Sequence, residues 1–301
     1  MTLSVFWRIL RPHTLNASFV PVAVGSAYAF KAAGVFSPPP ALIMLAACLF
    51  IQIATNLFNE YYDYVRGLDT AASVGIGGAI VRDGLSPRFV LGLALGFYAA
   101  AAALGVILAA RSSFILLPLG AFCMICGYLY TGGPYPIAAS PFGEAAAGLL
   151  LGSLVIGISF FIQTGFVTAA VFVISLPVAL LIAAILTANN IRDREGDAAG
   201  GRRTLVILLG HRRGVVFLAA LFALAFVWSV GLCFRPGFGL WFLLPLLSIL
   251  PARKSILLFR RGENAPAAVM LPAMRGTARA NTVYGLAYAA ALLLAAFPLP
   301  A

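Results

Sequence analysis

The chain has 301 residues, of which 62% are hydrophobic and only 10% are charged. Ordinary soluble domains carry about 25% charged residues, so this composition argues against a water-soluble globular protein, a disordered chain and a fibrous one. The sequence is basic, with 20 Lys and Arg residues against 9 Asp and Glu residues. In so apolar a chain, this excess is typical of basic loops at a membrane surface and does not indicate nucleic-acid binding.

Long runs without charged residues divide the chain into segments of membrane-spanning length. The 47-residue run 145–191 is too long for one span and is interrupted by Gln163, Thr164 and Gly165. Alternating porin strands would keep the hydropathy lower, so helices are favoured. The sequence predicts one all-helical membrane domain over residues 1–301, with nine spans near 14–30, 41–64, 88–110, 113–130, 143–162, 167–192, 213–233, 237–259 and 280–299.

The basic residues predict the orientation of these spans. With the N-terminus in the cytoplasm, 17 basic residues lie on the cytoplasmic side and only Lys31, Arg111 and Arg235 lie outside. We expect the first helix to be retained, because its apolar run is longer than a usual signal-peptide core. The expected location is the inner (cytoplasmic) membrane, with cytoplasmic segments at residues 65–88 (which include Ser73), 192–212 and 260–279.

All nine acidic residues fall on the same expected side, although acidic residues contribute little to topology. Most of them belong to two motifs, at residues 56–69 and 189–204. In the first motif, Asn59 and Asp63 are four residues apart and share a helix face. Gly67 is expected to end that helix and let Asp69 fold back.

The second motif has the same Asn-x-x-x-Asp spacing and extends it into a stripe formed by Asn189, Asp193 and Asp197. Four helices separate the two motifs, so the helices that carry them run in the same direction. This arrangement suggests an internal repeat of four helices. The two motifs are therefore expected to face each other at the cytoplasmic end of the bundle, as a functional cluster.

Carboxylates without histidine or cysteine nearby indicate a hard cation such as Mg²⁺, which commonly shares its shell with substrate phosphates. Arg66, Arg192 and Arg202 lie next to the motifs and could bind the oxygens of a diphosphate. A cation channel would have acids without so many arginines. Cys123 and Cys126 have redox spacing but lie within a predicted span, so they are interpreted as buried, unreactive thiols.

These motifs resemble those of the UbiA superfamily of intramembrane aromatic prenyltransferases, and most closely its MenA-type branch, the 1,4-dihydroxy-2-naphthoate polyprenyltransferases. The spacing of that branch requires Asp69, because Gly67 stands four residues after Asp63. His13 and Glu60 depart from the family, in which many members have Lys and Asp. Similar stretches extend through residues 11–15, 77–88, 130–136, 143–144, 201–210 and 271–278.

The resemblance implies a helical bundle around a lipid-open cavity that binds a polyprenyl diphosphate and an aromatic acid. In this branch the acid is 1,4-dihydroxy-2-naphthoate, and demethylmenaquinone forms with loss of carbon dioxide and diphosphate. Two Mg²⁺ ions would bridge the diphosphate and stabilise its departure. Their expected ligands are Asn59, Asp63, Asp69, Asp193 and Asp197.

Further residues are assigned to the carbon chemistry. Tyr130 is the candidate that shields the allylic cation, although a tyrosine of the membrane interface would occupy the same place. Together with Asp63 and Asp193 it forms the expected catalytic set. The remaining candidates, for binding the acceptor, are Arg11, Arg88 and Asn189, although either arginine could merely satisfy the positive-inside rule.

Two alternative functions remain open at this stage. The same mechanism could prenylate another acceptor, such as 4-hydroxybenzoate or homogentisate. A secondary transporter is the alternative from a different class. Transporters tend to place charges near the bilayer centre on broken helices, whereas here the acids gather at one edge.

Overall fold

The structure is a computed structural model and describes residues 2–70, 77–263 and 265–297. Within these residues every regular element is helical and no β-strand occurs, which confirms the predicted all-helical class. In chain order the α-helices are α1 (Leu3–Ile9), α2 (Asn16–Ala33), α3 (Pro38–Val65), α4 (Ala79–Asp83), α5 (Pro87–Arg111), α6 (Leu116–Thr131), α7 (Gly143–Ala147), α8 (Val155–Thr164), α9 (Ala169–Ala199), α10 (Leu205–Leu209), α11 (His211–Cys233), α12 (Ile249–Arg261) and α13 (Ala267–Leu294).

Two of the long helical segments change their winding along their length. A π-helix at Gly148–Leu154 joins α7 to α8, and a 3₁₀-helix at Leu240–Ser248 leads into α12. The 3₁₀-helix contains Pro245, which lacks the backbone N–H that a regular α-helix would use. The proline therefore accounts for the irregular start of the eighth predicted span.

Six helical segments in the described part of the chain are long and apolar enough to cross a membrane: Pro38–Val65, Pro87–Arg111, Gly143–Thr164, Ala169–Ala199, His211–Cys233 and Leu240–Arg261. The apolar helix α6 is shorter, with 16 residues. The predicted start of the last helix at residue 280 was wrong, because α13 begins at Ala267. Its charged residues Arg275 and Arg279 are exposed on a continuous helix, so they interrupt the apolar run without interrupting the backbone.

The helices pack around two main hydrophobic cores. One core joins α2, α9, α11 and α13, and the other joins α1, α3, α4 and α5. Gly152 allows the π-helix to approach α9 closely, since a Cβ atom there would lie 2.6 Å from the Cα atom of Ala179. A cavity lies between the two groups of helices.

Loops that were predicted for the same side of the membrane contact one another. At one end, the Arg203 N–H donates to the carbonyl oxygen of Ala139 at 2.9 Å. At the other end, the Ser37 N–H donates to the amide oxygen of Gln163 at 2.6 Å, and Lys31 lies 4.3 Å from the ring centre of Phe238. These contacts bring together the loops after α6 and α9 at one end and the ends of α2, α8 and α11 at the other.

Candidate active site

A cavity of about 740 Å³ runs along the bundle and differs in chemistry between its ends. Apolar side chains, including Met44, Leu108, Leu116 and Ile162, line one part of it. Its charged part is lined by all five predicted metal-binding residues, namely Asn59, Asp63, Asp69, Asp193 and Asp197. A cavity with this division can accommodate an amphiphile that has an anionic head and a long apolar tail.

The end of α3 brings Asp69 back toward Asp63, as predicted. Gly67 has φ +70°, a left-handed conformation that ends the helix and favours glycine. The backbone N–H groups of Leu68 and Asp69 then donate to the carbonyl oxygen of Asp63 at 2.9 and 3.3 Å. The turn therefore holds both carboxylates of the first motif beside the cavity.

Arg202 joins the two acidic motifs across the cavity. Its Nη2 atom lies 2.5 Å from Oδ1 of Asp63 on α3, and its Nη1 atom lies 2.9 Å from Oδ1 of Asp197 on α9. The Arg202 backbone N–H also donates to the Asp197 carbonyl oxygen at 2.9 Å, which fixes the loop after α9. The two motifs approach each other as predicted, and the Arg202 guanidinium lies between their carboxylates.

Arg11 determines how the Asn59 amide is oriented. Arg11 Nη1 donates to Asn59 Oδ1 at 2.7 Å, and Asn59 Nδ2 donates to Asp63 Oδ2 at 2.9 Å. The Asn59 oxygen, which was expected to bind a metal, is thus engaged by a guanidinium group. Arg11 is also the one non-glycine residue among those described that has a positive φ, at 52°. Such a conformation is costly, so the surrounding contacts must hold it in place.

Glu60 is a buried residue whose role was missed from the sequence. Its side chain is fully buried, accepts hydrogen bonds from the N–H groups of Gly78 and Ile80 at 2.8 and 3.3 Å, and lies 3.5 Å from Arg11. A Cβ atom at Gly77 would lie 2.2 Å from Glu60 Oε2. Glu60 therefore anchors the start of α4, and the adjacent glycines Gly77 and Gly78 are the signal of this close approach in the sequence.

The predicted arginines separate into two groups. Arg192 and Arg202 line the cavity, as does Arg11. Arg192 forms an ion pair with Asp193 and is almost fully buried. Arg66 and Arg88 are not among the described residues that line the cavity. Arg66 instead donates to the carbonyl oxygens of Thr131 and Gly133 at 2.7 and 2.8 Å, so it holds the loop after α6, while Arg88 is exposed on the first turn of α5.

Tyr130 and Asn189 both line the cavity, on α6 and α9 respectively. Tyr130 is half-buried at the end of α6, which places an aromatic ring beside the charged part. The next residue on α9, Asn190, is buried and donates to Oε1 of the buried Glu144 at 2.8 Å. This contact, which was not predicted, fixes α7 against the part of α9 that carries the second motif.

Burial and neighbouring charges shift the pKa values of Asp69 and His13, which lie outside the long apolar helices. Burial, together with the carboxylates of Glu60 and Asp63, raises the pKa of Asp69 to about 6. Burial, together with the nearby arginines Arg11, Arg192 and Arg275, lowers the pKa of His13 to about 4. A carboxylate with a raised pKa gains from a nearby cation, whereas His13, which lines the cavity, is neutral at neutral pH.

The donor set fits Mg²⁺ only if the substrate supplies further ligands. Among the described residues, no three His, Cys, Asp or Glu side chains form a group that could hold a metal ion by themselves. Mg²⁺ usually binds to one or two carboxylates and completes its shell with waters and phosphate oxygens. The bridging of Asp63 and Asp197 by the Arg202 guanidinium shows that this place attracts positive charge.

Comparison with known proteins gives concordant results. The chain is 48% identical over 293 residues to the 1,4-dihydroxy-2-naphthoate octaprenyltransferase of Bacillus subtilis (strain 168), covering 97% of this chain and 93% of that protein. The fold matches a UbiA homolog from Aeropyrum pernix K1, with a TM-score of 0.68, 18% identity and coverage of 94% of this chain and 97% of that one.

A UbiA homolog from Archaeoglobus fulgidus bound to GPP and Mg²⁺ also matches the fold, with a TM-score of 0.67, 20% identity and coverage of 96% and 99% of the two chains. The model of the UbiA prenyltransferase family matches residues 18–274, a range that includes both aspartate motifs, begins within α2 and ends within α13. The family model and the Bacillus subtilis relative both match most of this helical chain, including its two aspartate motifs. The chain therefore belongs to the UbiA prenyltransferase family.

Proposed function

We propose that this protein transfers a polyprenyl group from polyprenyl diphosphate to 1,4-dihydroxy-2-naphthoate, with loss of carbon dioxide and diphosphate, to give demethylmenaquinone for menaquinone biosynthesis. The observation that carries the proposal is the 48% identity to a naphthoate octaprenyltransferase across nearly the whole chain. The divided cavity supports it, because its charged part suits a diphosphate and its apolar part suits a prenyl chain.

The charged residues would bind and orient the diphosphate. Asp63, Asp69, Asp193 and Asp197 are the proposed ligands of two Mg²⁺ ions, and the Mg²⁺-bound relative from Archaeoglobus fulgidus supports this cofactor. Bound Mg²⁺ would neutralise charge that develops on the leaving diphosphate. Arg192 and Arg202 line the same part of the cavity and can donate to diphosphate oxygens. Asn59 would act mainly by orienting Asp63, since Arg11 engages its oxygen.

The carbon chemistry would occur where Tyr130 faces the cavity. As the bond to diphosphate breaks, the allylic carbon becomes cationic, and the Tyr130 ring can stabilise it and exclude water. The electron-rich naphthoate ring then forms the new carbon–carbon bond at the carbon that bears the carboxylate. Loss of carbon dioxide restores aromaticity. Arg11 and Asn189 line the cavity and are proposed to bind the acceptor, whereas the exposed Arg88 has less support.

Acceptor choice gives a direct test of this function. Membranes that contain the protein should consume 1,4-dihydroxy-2-naphthoate and release carbon dioxide and diphosphate in equal amounts, and omission of Mg²⁺ should abolish both products. The measurement uses carboxyl-labelled naphthoate and one labelled allylic diphosphate, with 4-hydroxybenzoate as the parallel acceptor. Prenylation of 4-hydroxybenzoate alone would assign the chain to the alternative acceptor class, and substrate movement without a prenylated product would favour a transporter.

We also propose nine spans, an internal repeat of four helices, a lipid-open cavity and a cytoplasmic site in the inner membrane. The Arg202 bridge between Asp63 on α3 and Asp197 on α9 supports the repeat, and the distribution of basic residues supports the orientation. Labelling with a membrane-impermeant maleimide tests this arrangement in a variant without native cysteines. Ser73 lies outside the described residues, so Ser86→Cys is the better inner probe.

Both labelling positions, Ser86 and Pro236, are exposed in loops at opposite ends of the bundle. In sealed cells, the reagent should label Pro236→Cys and leave Ser86→Cys unlabelled until the membrane is permeabilised. Strong labelling of Ser86→Cys in intact cells would reverse the proposed orientation.

A further inference from the structure

The exposed face of α12 carries a cluster of basic residues that the proposed reaction does not use. Arg253, Lys254, Arg260 and Arg261 are all exposed. With 3.6 residues per turn, these four side chains fall within an arc of roughly 120°. The buried residues of the helix lie on the opposite side and are Ala252, Ser255 and Phe259.

Packing fixes the direction in which this basic face points. Ser255 donates through Oγ to the carbonyl oxygen of Ala273 on α13 at 2.7 Å, and its Oγ also lies 2.7 Å from the Thr277 hydroxyl. Phe259 is fully buried, and its carbonyl oxygen lies 2.8 Å from Nε2 of the buried His211. The helix cannot rotate without breaking these contacts, so the four cations face away from the bundle.

In the described part of the chain, no carboxylate pairs with this face. No Asp or Glu occurs between residues 198 and 262 or after Glu263. Glu263 is paired with Arg212, at 2.7 Å between carboxylate oxygen and Nε. Within the described residues none of the four cations of the α12 face takes part in an ion pair. Several uncompensated cations on one helix face create a positive potential that attracts anionic partners from outside the chain.

The position of the face along the helix points to a membrane lipid as this partner. Arg253 and Arg261 are eight residues apart, which corresponds to about 12 Å along the axis. The exposed apolar residue Leu250, with 75% of its surface accessible, precedes the cations on the same face, and Leu257 lies between them. Basic side chains at a helix end reach the headgroups while apolar neighbours contact the acyl chains.

We propose that this face of α12 binds an anionic glycerophospholipid, with the phosphate group at Arg253, Lys254, Arg260 and Arg261 and an acyl chain along Leu250. The inference requires only that the protein is embedded in a membrane, so it is independent of the prenyl-transfer proposal. It assigns a lipid-binding surface outside the cavity, because none of these five residues lines the cavity in the described part of the chain.

Native mass spectrometry of the delipidated protein in detergent tests the proposal. The protein is titrated with phosphatidylglycerol or with phosphatidylcholine of the same acyl chains, and the lipid-bound species are counted. Each cation near an anionic surface contributes roughly a fivefold preference, so two or more cations should make phosphatidylglycerol bind at least about 25-fold more tightly. The double substitution Arg253→Gln/Lys254→Gln should weaken its binding by roughly 25-fold. Phosphatidylcholine binding should be unchanged.

The matched control is Arg111→Gln/Arg235→Gln, which removes two exposed cations at the opposite end of the bundle. It should leave the preference intact, and thermal melting should show that both double variants remain folded. Higher ionic strength should reduce the preference of the unsubstituted protein, because exposed charges are screened. Equal affinity for the two lipids, or an equal loss in the control variant, would overturn the proposal. So would displacement of the lipid by a short allylic diphosphate, which would locate the lipid in the cavity.

Discussion

Replacing Asp63 or Asp193 by asparagine will lower the rate of prenyl transfer by about 10²–10³-fold while the protein remains folded. Asparagine is almost the same size as aspartate and keeps hydrogen bonding, but it removes the negative charge. Asp63 lies opposite Asp197, and Asp193 is paired with Arg192, so each change removes charge from one side of the cavity. The leaving diphosphate would then lose part of its neutralisation.

The measurement is single-turnover product formation at saturating Mg²⁺, together with the melting temperature in detergent. The double variant should be far less than additive, because either single change already disables the cluster. Asp83→Asn is the matched control, since Asp83 is paired with Arg8 at the start of the chain and lies outside the described cavity lining. Near-normal turnover in either single variant would show that the two motifs do not form the proposed site.

Arg202→Gln will destabilise the protein in the absence of Mg²⁺ and will slow prenyl transfer by on the order of 10²-fold. The Arg202 guanidinium bridges Asp63 and Asp197, whose side chains are only 14% and 13% exposed. Without it, two largely buried carboxylates face each other unpaired, a change that costs on the order of 3 kcal/mol. Mg²⁺ should restore much of the lost stability, because a cation would again lie between the carboxylates.

Thermal melting with and without Mg²⁺ separates this role from a general packing defect, which Mg²⁺ would not repair. Arg202→Lys should rescue the protein only in part, since an ammonium group lacks the fork that reaches two carboxylates at once. The neighbouring Arg203 is exposed and lies outside the described cavity lining, so Arg203→Gln is the control and should change neither property strongly. Equal melting temperatures for Arg202→Gln and the unsubstituted protein, measured without Mg²⁺, would contradict the bridging role.

Helix-level features of the site could be predicted because they depend on local sequence. The four-residue spacing of Asn189, Asp193 and Asp197 places them on one face of α9, and the structure continues that helix to Ala199. Gly67 ends α3 through a left-handed turn, because glycine adopts positive φ without steric cost. The end of a charge-free run was a poorer guide to helix ends, since exposed arginines in α13 leave the backbone helical.

The roles of individual arginines could not be predicted from position in the sequence. Arg66 is three residues from Asp63 yet holds the loop after α6, whereas Arg202 reaches Asp63 across a separation of 139 residues. Arg11 engages Asn59 from the segment before α2. Such contacts depend on which loops meet at the same end of the bundle.

The sequence by itself determined that this is a helical membrane protein and that most of its acidic residues fall in two motifs. Hydrophobic run length, helical periodicity and the distribution of charge can be read from the sequence, because they do not depend on which segments pack together. Only the tertiary structure decided that Arg202 joins the motifs, that Glu60 is buried against the start of α4 and that α12 presents an exposed basic face. These features arise because packing selects, among many nearby charges, those that are buried with a partner and those that remain exposed.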